Sequence, residues 1–152
     1  MLVGVISDTH GLLRPEAVAA LAGVEHILHA GDVGDAAILD ALRAIAPVTA
    51  IRGNVDRSGP CALLPSTEAV KLGGCLVYMV HALEDLDLNP KAAGVGMVVY
   101  GHSHQALVEE RNGVLYLNPG SAGPRRFSLP VTVALVRMEG GTAKAKIVEL
   151  EV

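Results

Sequence analysis

The sequence predicts an α/β fold in which two mixed β-sheets pack face to face with helices on their outer sides. Three observations lead there. The first half alternates short β-branched apolar runs with alanine-rich helical segments, the pattern of parallel strands joined by right-handed crossovers. The second half holds three pairs of strand-like runs separated by Gly-Gly or Asn-Gly, the mark of tight hairpins. Hydrophobic residues make up 51% of the chain but aromatics only 3%, so the core must be assembled from many Val, Leu, Ile and Ala side chains. Facing sheets accommodate them. The 152 residues are expected to form one domain, residues 1–152.

Taken in order, Leu2 to Ser7 is short, apolar and β-branched, and reads as a buried strand. Pro15 suits a first helical turn, Glu16 to Leu21 continues it, and Gly23 ends it. Glu25 to Ala30 is the second strand. Asp35 is placed to cap a helix through Ala44, with Pro47 beyond it. Val48 to Ile51 is the third strand. Val55 to Pro65, with Gly59, Pro60 and Pro65, reads as a loop. Hairpins follow at Glu68 to Leu72 with Leu76 to His81, at Ala106 to Glu110 with Val114 to Leu117, and at Val131 to Met138 with Ala143 to Val152. Between the first two lie Leu83 to Ala93, read as a loop or broken helix leading into a short helix, and Val95 to Tyr100, a buried strand.

Charge and cysteine usage narrow the function. Twelve Lys and Arg stand against sixteen Asp and Glu, which argues against a surface that coats nucleic acid. A small phosphate ester held by metal ions stays open, because ions supply positive charge that a residue count omits. Cys61 and Cys75 form no Cys-x-x-Cys pair, and a reduced pair is the simpler reading. The first apolar run is too short for a signal-peptide core, and no stretch nears the ~18 residues of a membrane span. A soluble cytoplasmic protein is expected.

Chemistry concentrates where five apolar runs end: Asp8-Thr9-His10, Gly31-Asp32, Gly53-Asn54, His81, and Gly101-His102-Ser103-His104. In extended backbone, side chains two apart share a side, so Asp8 and His10 should face together, and so should His102 and His104. Singly, each motif has a mundane reading. Asp8 or Asp32 alone would be a capping or loop carboxylate, His81 a core histidine, and Asn54 after Gly53 a turn. The His-x-His pair resists such a reading, because neighbouring buried imidazoles repel when protonated and waste polar groups when neutral. A shared metal ion resolves that cost.

The order and spacing of these motifs resemble those of the calcineurin-like metallophosphoesterases, and the short chain resembles their small bacterial and archaeal phosphodiesterases. The resemblance covers Val3 to Arg125. It implies a four-layer architecture and a dinuclear site. One ion would take Asp8, His10, Asp32 and His104; the other would take Asp32, Asn54, His81 and His102, with Asp32 bridging. Mixed imidazole and oxygen ligands suit manganese, the expected ion, or zinc, iron, cobalt or nickel, better than magnesium or calcium. Asp32, Asn54 and His81 are the expected catalytic residues. Arg125 and Arg126 follow Asn118-Pro119-Gly120-Ser121 and are candidate phosphate clamps, or surface arginines bracing a loop. His29 and Asp56 are candidate supports behind the ligands, although His29 reads equally as a buried strand histidine.

The resemblance further implies hydrolysis of a small phosphate ester, most simply a diester, by a hydroxide held between the two ions. Nucleic acid and membrane partners are not expected; a homo-oligomer, dimer or tetramer, is. Two positions depart from the superfamily. Val55 stands where a histidine commonly follows Gly-Asn, and Leu83 replaces the second histidine of His-Gly-His. Both losses remove candidates for protonating a leaving group. They also keep a second reading open, a non-catalytic metal-binding or interaction module like the retromer subunit of the same fold. A serine hydrolase is disfavoured, because Gln105 replaces the last glycine of Gly-x-Ser-x-Gly.

Overall fold

The computed structural model describes residues 1–152. The first sheet is built on β1 (Leu2–Ile6), whose Val3 and Val5 face one side while Ile6 faces the other, all fully buried. β1 runs parallel to β2 (His26–His29), and β2 runs parallel to β3 (Val48–Ala50). The crossovers are α1 (Pro15–Ala20), with proline in its first turn, and α2 (Ala36–Arg43). Asp35 caps α2 as expected, its carboxylate accepting from the Ala37 N–H at 2.9 Å. Ile38, Leu39 and Leu42 form one face of α2 and are buried with Ile6, Leu21 and Ile27.

The second sheet contains β4 (Thr67–Leu72), β5 (Cys75–Val80), β6 (Met97–Val99), β7 (Leu107–Arg111) and β8 (Val114–Asn118), in the order β4-β5-β6-β8-β7. β9 (Thr132–Glu139) and β10 (Thr142–Glu149) return to the first sheet, giving β10-β9-β1-β2-β3. All three hairpins turn on the expected dipeptides, Gly73-Gly74, Asn112-Gly113 and Gly140-Gly141. Both residues of each have positive φ, as a two-residue primed turn requires. Between the sheets lies a core of small and medium side chains that includes Val3, Val5, Leu28, Met79, Met97, Val99, Leu117 and Val136. Cys61 and Cys75 are both free and lie in different core clusters.

Two expectations need correction. No α-helix forms between Leu83 and Ala93; residues 83–85 make a single 3₁₀ turn, and a lone turn at residues 90–94 ends with Val95 N–H donating to the Pro90 carbonyl. The alternation Leu83, Leu86 against Glu84, Asp85, Asp87 explains this. It anchors an irregular segment to the outer face of the second sheet, beside Val80, Val98 and Tyr100, so the fourth layer is thin there. The strands also stop short of the motifs. Asp8, His10, Asp32, His102 and His104 all have positive φ, between 46° and 72°, so the motifs are not extended.

Candidate metal centre

β1, β2, β3, β5 and β6 end at one edge of the two sheets, and the loops leaving them converge. Left-handed backbone at Asp8 and His10 still aims both side chains at one point. At His102 and His104 it separates the imidazoles, so the pair serves two neighbouring clusters rather than one. Asp8, His10 and His104 form the first, and Asp32, His81 and His102 the second. Within each triad the donor atoms lie within 4.8 Å of one another. Such conformations are costly for residues bearing a Cβ and persist where surrounding contacts over-determine them.

Those contacts are visible. Asp8 is fully buried, and its Oδ2 accepts from the Ser7 hydroxyl (2.7 Å) and the His102 backbone N–H (3.1 Å). Asp8 Oδ1 is thereby turned inward, 3.5 Å from His104 Nε2 and 3.8 Å from His10 Nε2. Asp32 is held similarly. Its Oδ1 accepts from the Val55 N–H (3.0 Å), leaving Oδ2 3.5 Å from His10 Nε2 and 3.2 Å from His81 Nε2. Asp32 Oδ2 thus stands between the triads. A Cβ on Gly53 would collide with Asp32 Oδ1, and one on Gly101 with Ser7 Oγ and Asp8 Oδ2, so both glycines are needed for the carboxylates to sit where they do.

The donor set points to cations. His81 Nδ1–H donates to the Ala30 carbonyl (2.7 Å), so the lone pair of Nε2 faces a carboxylate oxygen across 3.2 Å. Two acceptors at that distance need a proton or a metal ion between them. Asp8 Oδ1, His10 Nε2, His81 Nε2 and His104 Nδ1 are all buried without a hydrogen-bond partner, a concentration that ordinary protein interiors avoid. The first three point into the space the triads enclose. The residues fit a pair of divalent ions of the borderline class, held by imidazole and carboxylate donors.

The same proximity sets the proton affinities. The Asp8 carboxylate raises the pKa of His10. Burial alone would lower that of His81, but Asp32 and the Ala30 carbonyl lift it above the ordinary value. Burial opposes ionisation of Asp8 and Asp32, yet their histidine and hydroxyl or amide partners hold both carboxyls below the usual range. Here the imidazoles and carboxylates share protons where ions would otherwise sit.

The remaining sequence candidates fall around this centre. Asn54 Oδ1 lies 3.2 Å from His102 Nδ1, on the exposed side of the second triad. His29 is fully buried, and burial pushes it down to about 4. Its Nδ1 accepts from the Gly31 N–H (3.1 Å), so Nε2–H donates to Thr9 Oγ1 (3.0 Å), which in turn donates to the Val33 carbonyl (2.8 Å). It thereby ties together the backbones that carry Asp8, His10 and Asp32. The Asp56 carboxylate accepts from the N–H groups of Val33, Gly34 and Gly53 (3.1, 3.0 and 2.9 Å), bracing two ligand loops without reaching a ligand side chain. Arg125 and Arg126 are exposed and line a cavity of about 260 Å³ with His10 and His104; Arg125 also reaches the Val152 carbonyl at 3.4 Å. Reasoning from sequence missed Ser7, Thr9, Ser121 and Asn118. Asn118 donates to the Gly101 carbonyl and to Ser103 Oγ, and the Ser121 hydroxyl to the Asp8 carbonyl. Only their position beside or after the motifs gave a signal.

Comparison with known proteins accords with this geometry. Residues 1–141 match the calcineurin-like phosphoesterase superfamily domain. The chain belongs to that superfamily. A probable metallophosphoesterase of Methanothermobacter thermautotrophicus is 36% identical, with 97% of this chain and 92% of that protein covered. Two solved structures share the superfamily fold at lower identity. A novel archaeal phosphodiesterase gives a TM-score of 0.80 at 22% identity, covering 97% of this chain and 100% of the other. Zinc-complexed wild-type Vps29 of Entamoeba histolytica gives 0.74 at 23%, covering 99% and 100%. The calcineurin-like fold, its two facing sheets and its paired triads capable of holding divalent ions are thus established for this chain.

Proposed function

We propose that this superfamily member is a dinuclear metallophosphoesterase that hydrolyses a small phosphate ester, with diesters preferred, like the small archaeal and bacterial phosphodiesterases. The observation that carries the reading is the position of Asp32 Oδ2, 3.5 Å from His10 Nε2 and 3.2 Å from His81 Nε2, between two triads in which Asp8 Oδ1, His10 Nε2 and His81 Nε2 have no hydrogen-bond partner. Asp8, His10, Asp32 and His104 would hold one ion, and Asp32, Asn54, His81 and His102 the other, manganese being the ion we assign. When bound, the pair supplies Lewis acidity toward the phosphoryl oxygens and lowers the pKa of a coordinated water.

The chain contributes the rest. Ala30 locks the tautomer of His81, Val55 N–H fixes the free oxygen of Asp32, and Ser7 and His102 N–H fix that of Asp8. These supports spare the site reorganisation when charge develops. Arg125 and Arg126 lie where a guanidinium can orient a phosphate beside His10 and His104. Neither Val55 nor Leu83 can donate a proton, so protonation of a leaving alkoxide falls to water or to another, unidentified group. Good leaving groups are therefore favoured over alkyl monoesters.

The same two side chains favour a second reading, a metal-binding or interaction module without turnover, as does the likeness to Vps29. Metal analysis of the purified protein with an assay of bis(p-nitrophenyl) phosphate in added manganese separates the two. Two ions per chain and turnover support the enzyme. Bound ions without turnover of any phosphodiester support the metal-binding module, and no bound metal even in added manganese overturns the enzyme and leaves only an interaction module.

A further inference from the structure

The loop that carries the two arginines borders two cavities. Its start, Pro124 to Arg126, lines the cavity of about 260 Å³ beside His10 and His104. Its end, Leu129 and Pro130, lines a second of about 660 Å³ together with Leu83, Tyr100, Ala106 and Leu107. The turn after β6 is the other shared wall. His102 and His104 belong to the two triads, whereas the alternate residues Ser103 and Gln105 line the larger cavity. The larger cavity thus lies across one turn of backbone from the metal centre.

Packing explains why it is there and why it is apolar. In the β7–β8 pair Leu107 stands opposite Asn118 and Arg111 opposite Val114, which puts both on the outer face of the second sheet with Tyr116. Leu83 and Leu86 cover that face beside Val80, Val98 and Tyr100, but the layer ends before β7 and leaves Leu107 40% exposed. Leu129 and Pro130, leading into β9, supply a further wall. No acid lines the cavity. Its one charged residue, Arg111, is paired with Glu109 at 2.8 Å and lies over the Tyr116 ring at 4.8 Å. Tyr100 is buried, and burial raises the pKa of its hydroxyl, so it stays neutral. A space of this size, with mostly apolar walls and a few polar groups, is built like a small-molecule site. The connecting loop adds a second observation. Phe127, between the two linings, is 89% exposed at a φ of 54°, a region that bulky side chains avoid. Strain of this kind gathers at ligand clamps.

We propose that the larger cavity receives an apolar ester substituent of the substrate, aryl or branched alkyl, whose phosphate lies with Arg125 and Arg126 beside the metal centre. The phosphate half rests on the phosphoesterase reading; the cavity half does not. An apolar group is favoured over a sugar, most of whose hydroxyls would face Leu83, Ala106, Leu107, Leu129 and Pro130 without a partner. Burying about half of a phenyl ring there favours binding by about tenfold.

The test compares benzyl phosphate with methyl phosphate, which carry the same charged group, and uses benzyl alcohol as a probe without phosphate. In the binding arm, benzyl alcohol is titrated into the metal-free protein and read by amide chemical shifts, and the two phosphates into the manganese-loaded protein by calorimetry. Benzyl alcohol should shift the amides of Tyr100, Leu107 and Leu129, and benzyl phosphate should bind about tenfold more tightly than methyl phosphate. L107S/L129S should abolish the shifts and bring the ratio to about one, and L107M/L129M should preserve both. In the kinetic arm, benzyl p-nitrophenyl phosphate should exceed methyl p-nitrophenyl phosphate in kcat/KM by a similar factor, lost in L107S/L129S. Leu107 is exposed and Leu129 half-buried, so the serine variant should keep its metal content and circular dichroism. Benzyl alcohol bound in the cavity without turnover of either diester would sustain the cavity and sink the esterase reading. Turnover of both diesters with equal binding of the two phosphates would leave the esterase standing and overturn the cavity. A preference that survives the serine variant would overturn it as well. So would a dimer in sedimentation that dissociates in that variant, because the cavity would then belong to a second copy of the chain.

Discussion

The two triads are built from the same residue types yet differ in depth. Asp8 and His104 are buried at 0% and 4% exposure, and the Asp8 side chain is anchored to Ser7 and to the backbone of His102. In the other triad Asp32 and His81 are buried, but His102 is exposed, and the Asn54 oxygen facing it lies on the open side. Each triad is held by loops of both sheets and borders a cavity, but only the second has an exposed ligand, His102. The difference teaches that affinity and exchange need not be shared equally within one paired site, because rigidity comes from the packing behind each ligand.

Removing Asp32, the carboxylate proposed to bridge the two triads, should erase the comparison altogether. Asp32→Ala is expected to lose both ions and all activity, and unchanged metal content would overturn the bridging assignment. Asp32→Asn, which keeps the shape, provides the check that loss of metal is not loss of fold.

A backbone change should break the deep triad more than the shallow one. In Gly101→Ala the new methyl meets Ser7 Oγ and Asp8 Oδ2, so the carboxylate must swing away from its position. We expect metal affinity of the first triad to fall by roughly the ~100-fold that loss of a supporting partner can cost. Titration with a fluorescent metal competitor would measure it. Gly53→Ala should do the same to Asp32 and so affect both ions.

Single histidine variants sharpen the contrast further. His104→Ala removes a buried ligand and should chiefly empty the first triad. His102→Ala removes an exposed one and should weaken the second ion by about tenfold, leaving the first in place. Equal losses in the two variants would contradict the difference in depth.

The smallest effect is on pH. In the metal-free protein His10 and His81 have pKa values raised by their carboxylate neighbours. A raised folded-state pKa stabilises fully below the unfolded histidine value of about 6.5, and the stabilisation is lost as pH rises through the folded value. His29 acts in the opposite sense: burial pushes it down to about 4, so it withdraws stability as pH falls from about 6.5 towards that value. The metal-free Tm should therefore decline by a few degrees from about pH 6.5 to about pH 8.5, and His10→Ala should flatten that decline. Ions replace the shared protons, so metal affinity should move the other way and weaken on acidification.

Much of this was legible in the residues. The β1-α1-β2-α2-β3 order followed from apolar runs alternating with helical segments, because each pattern can bury its face in only one way. The hairpins were legible because Gly73-Gly74, Asn112-Gly113 and Gly140-Gly141 reach positive φ at little cost. Reading Leu83 to Ala93 as leading into a helix failed because its leucines are spent on the outer sheet face, a contact with no local signature. Alternation across an extended strand was the wrong reason for bringing Asp8 and His10 together. Their left-handed backbone is imposed by hydrogen bonds such as His10 N–H to the Asp32 carbonyl (2.9 Å) and Asp8 N–H to the Gly31 carbonyl (3.0 Å).

By itself, then, the order of residues determined which groups are available for metal binding and which strands deliver them, since donor chemistry and hydrophobic period are properties of the chain. The resemblance already divided those groups between two ions; tertiary structure decided the backbone that makes the division possible. Positive φ at Asp8, His10, Asp32, His102 and His104 turns the strand ends inward, and Asp32 Oδ2 comes to lie 3.5 Å from His10 Nε2 and 3.2 Å from His81 Nε2. Each outcome depends on which loops the packing of two sheets brings within a few ångströms, and no local run of residues encodes a distance between strand ends.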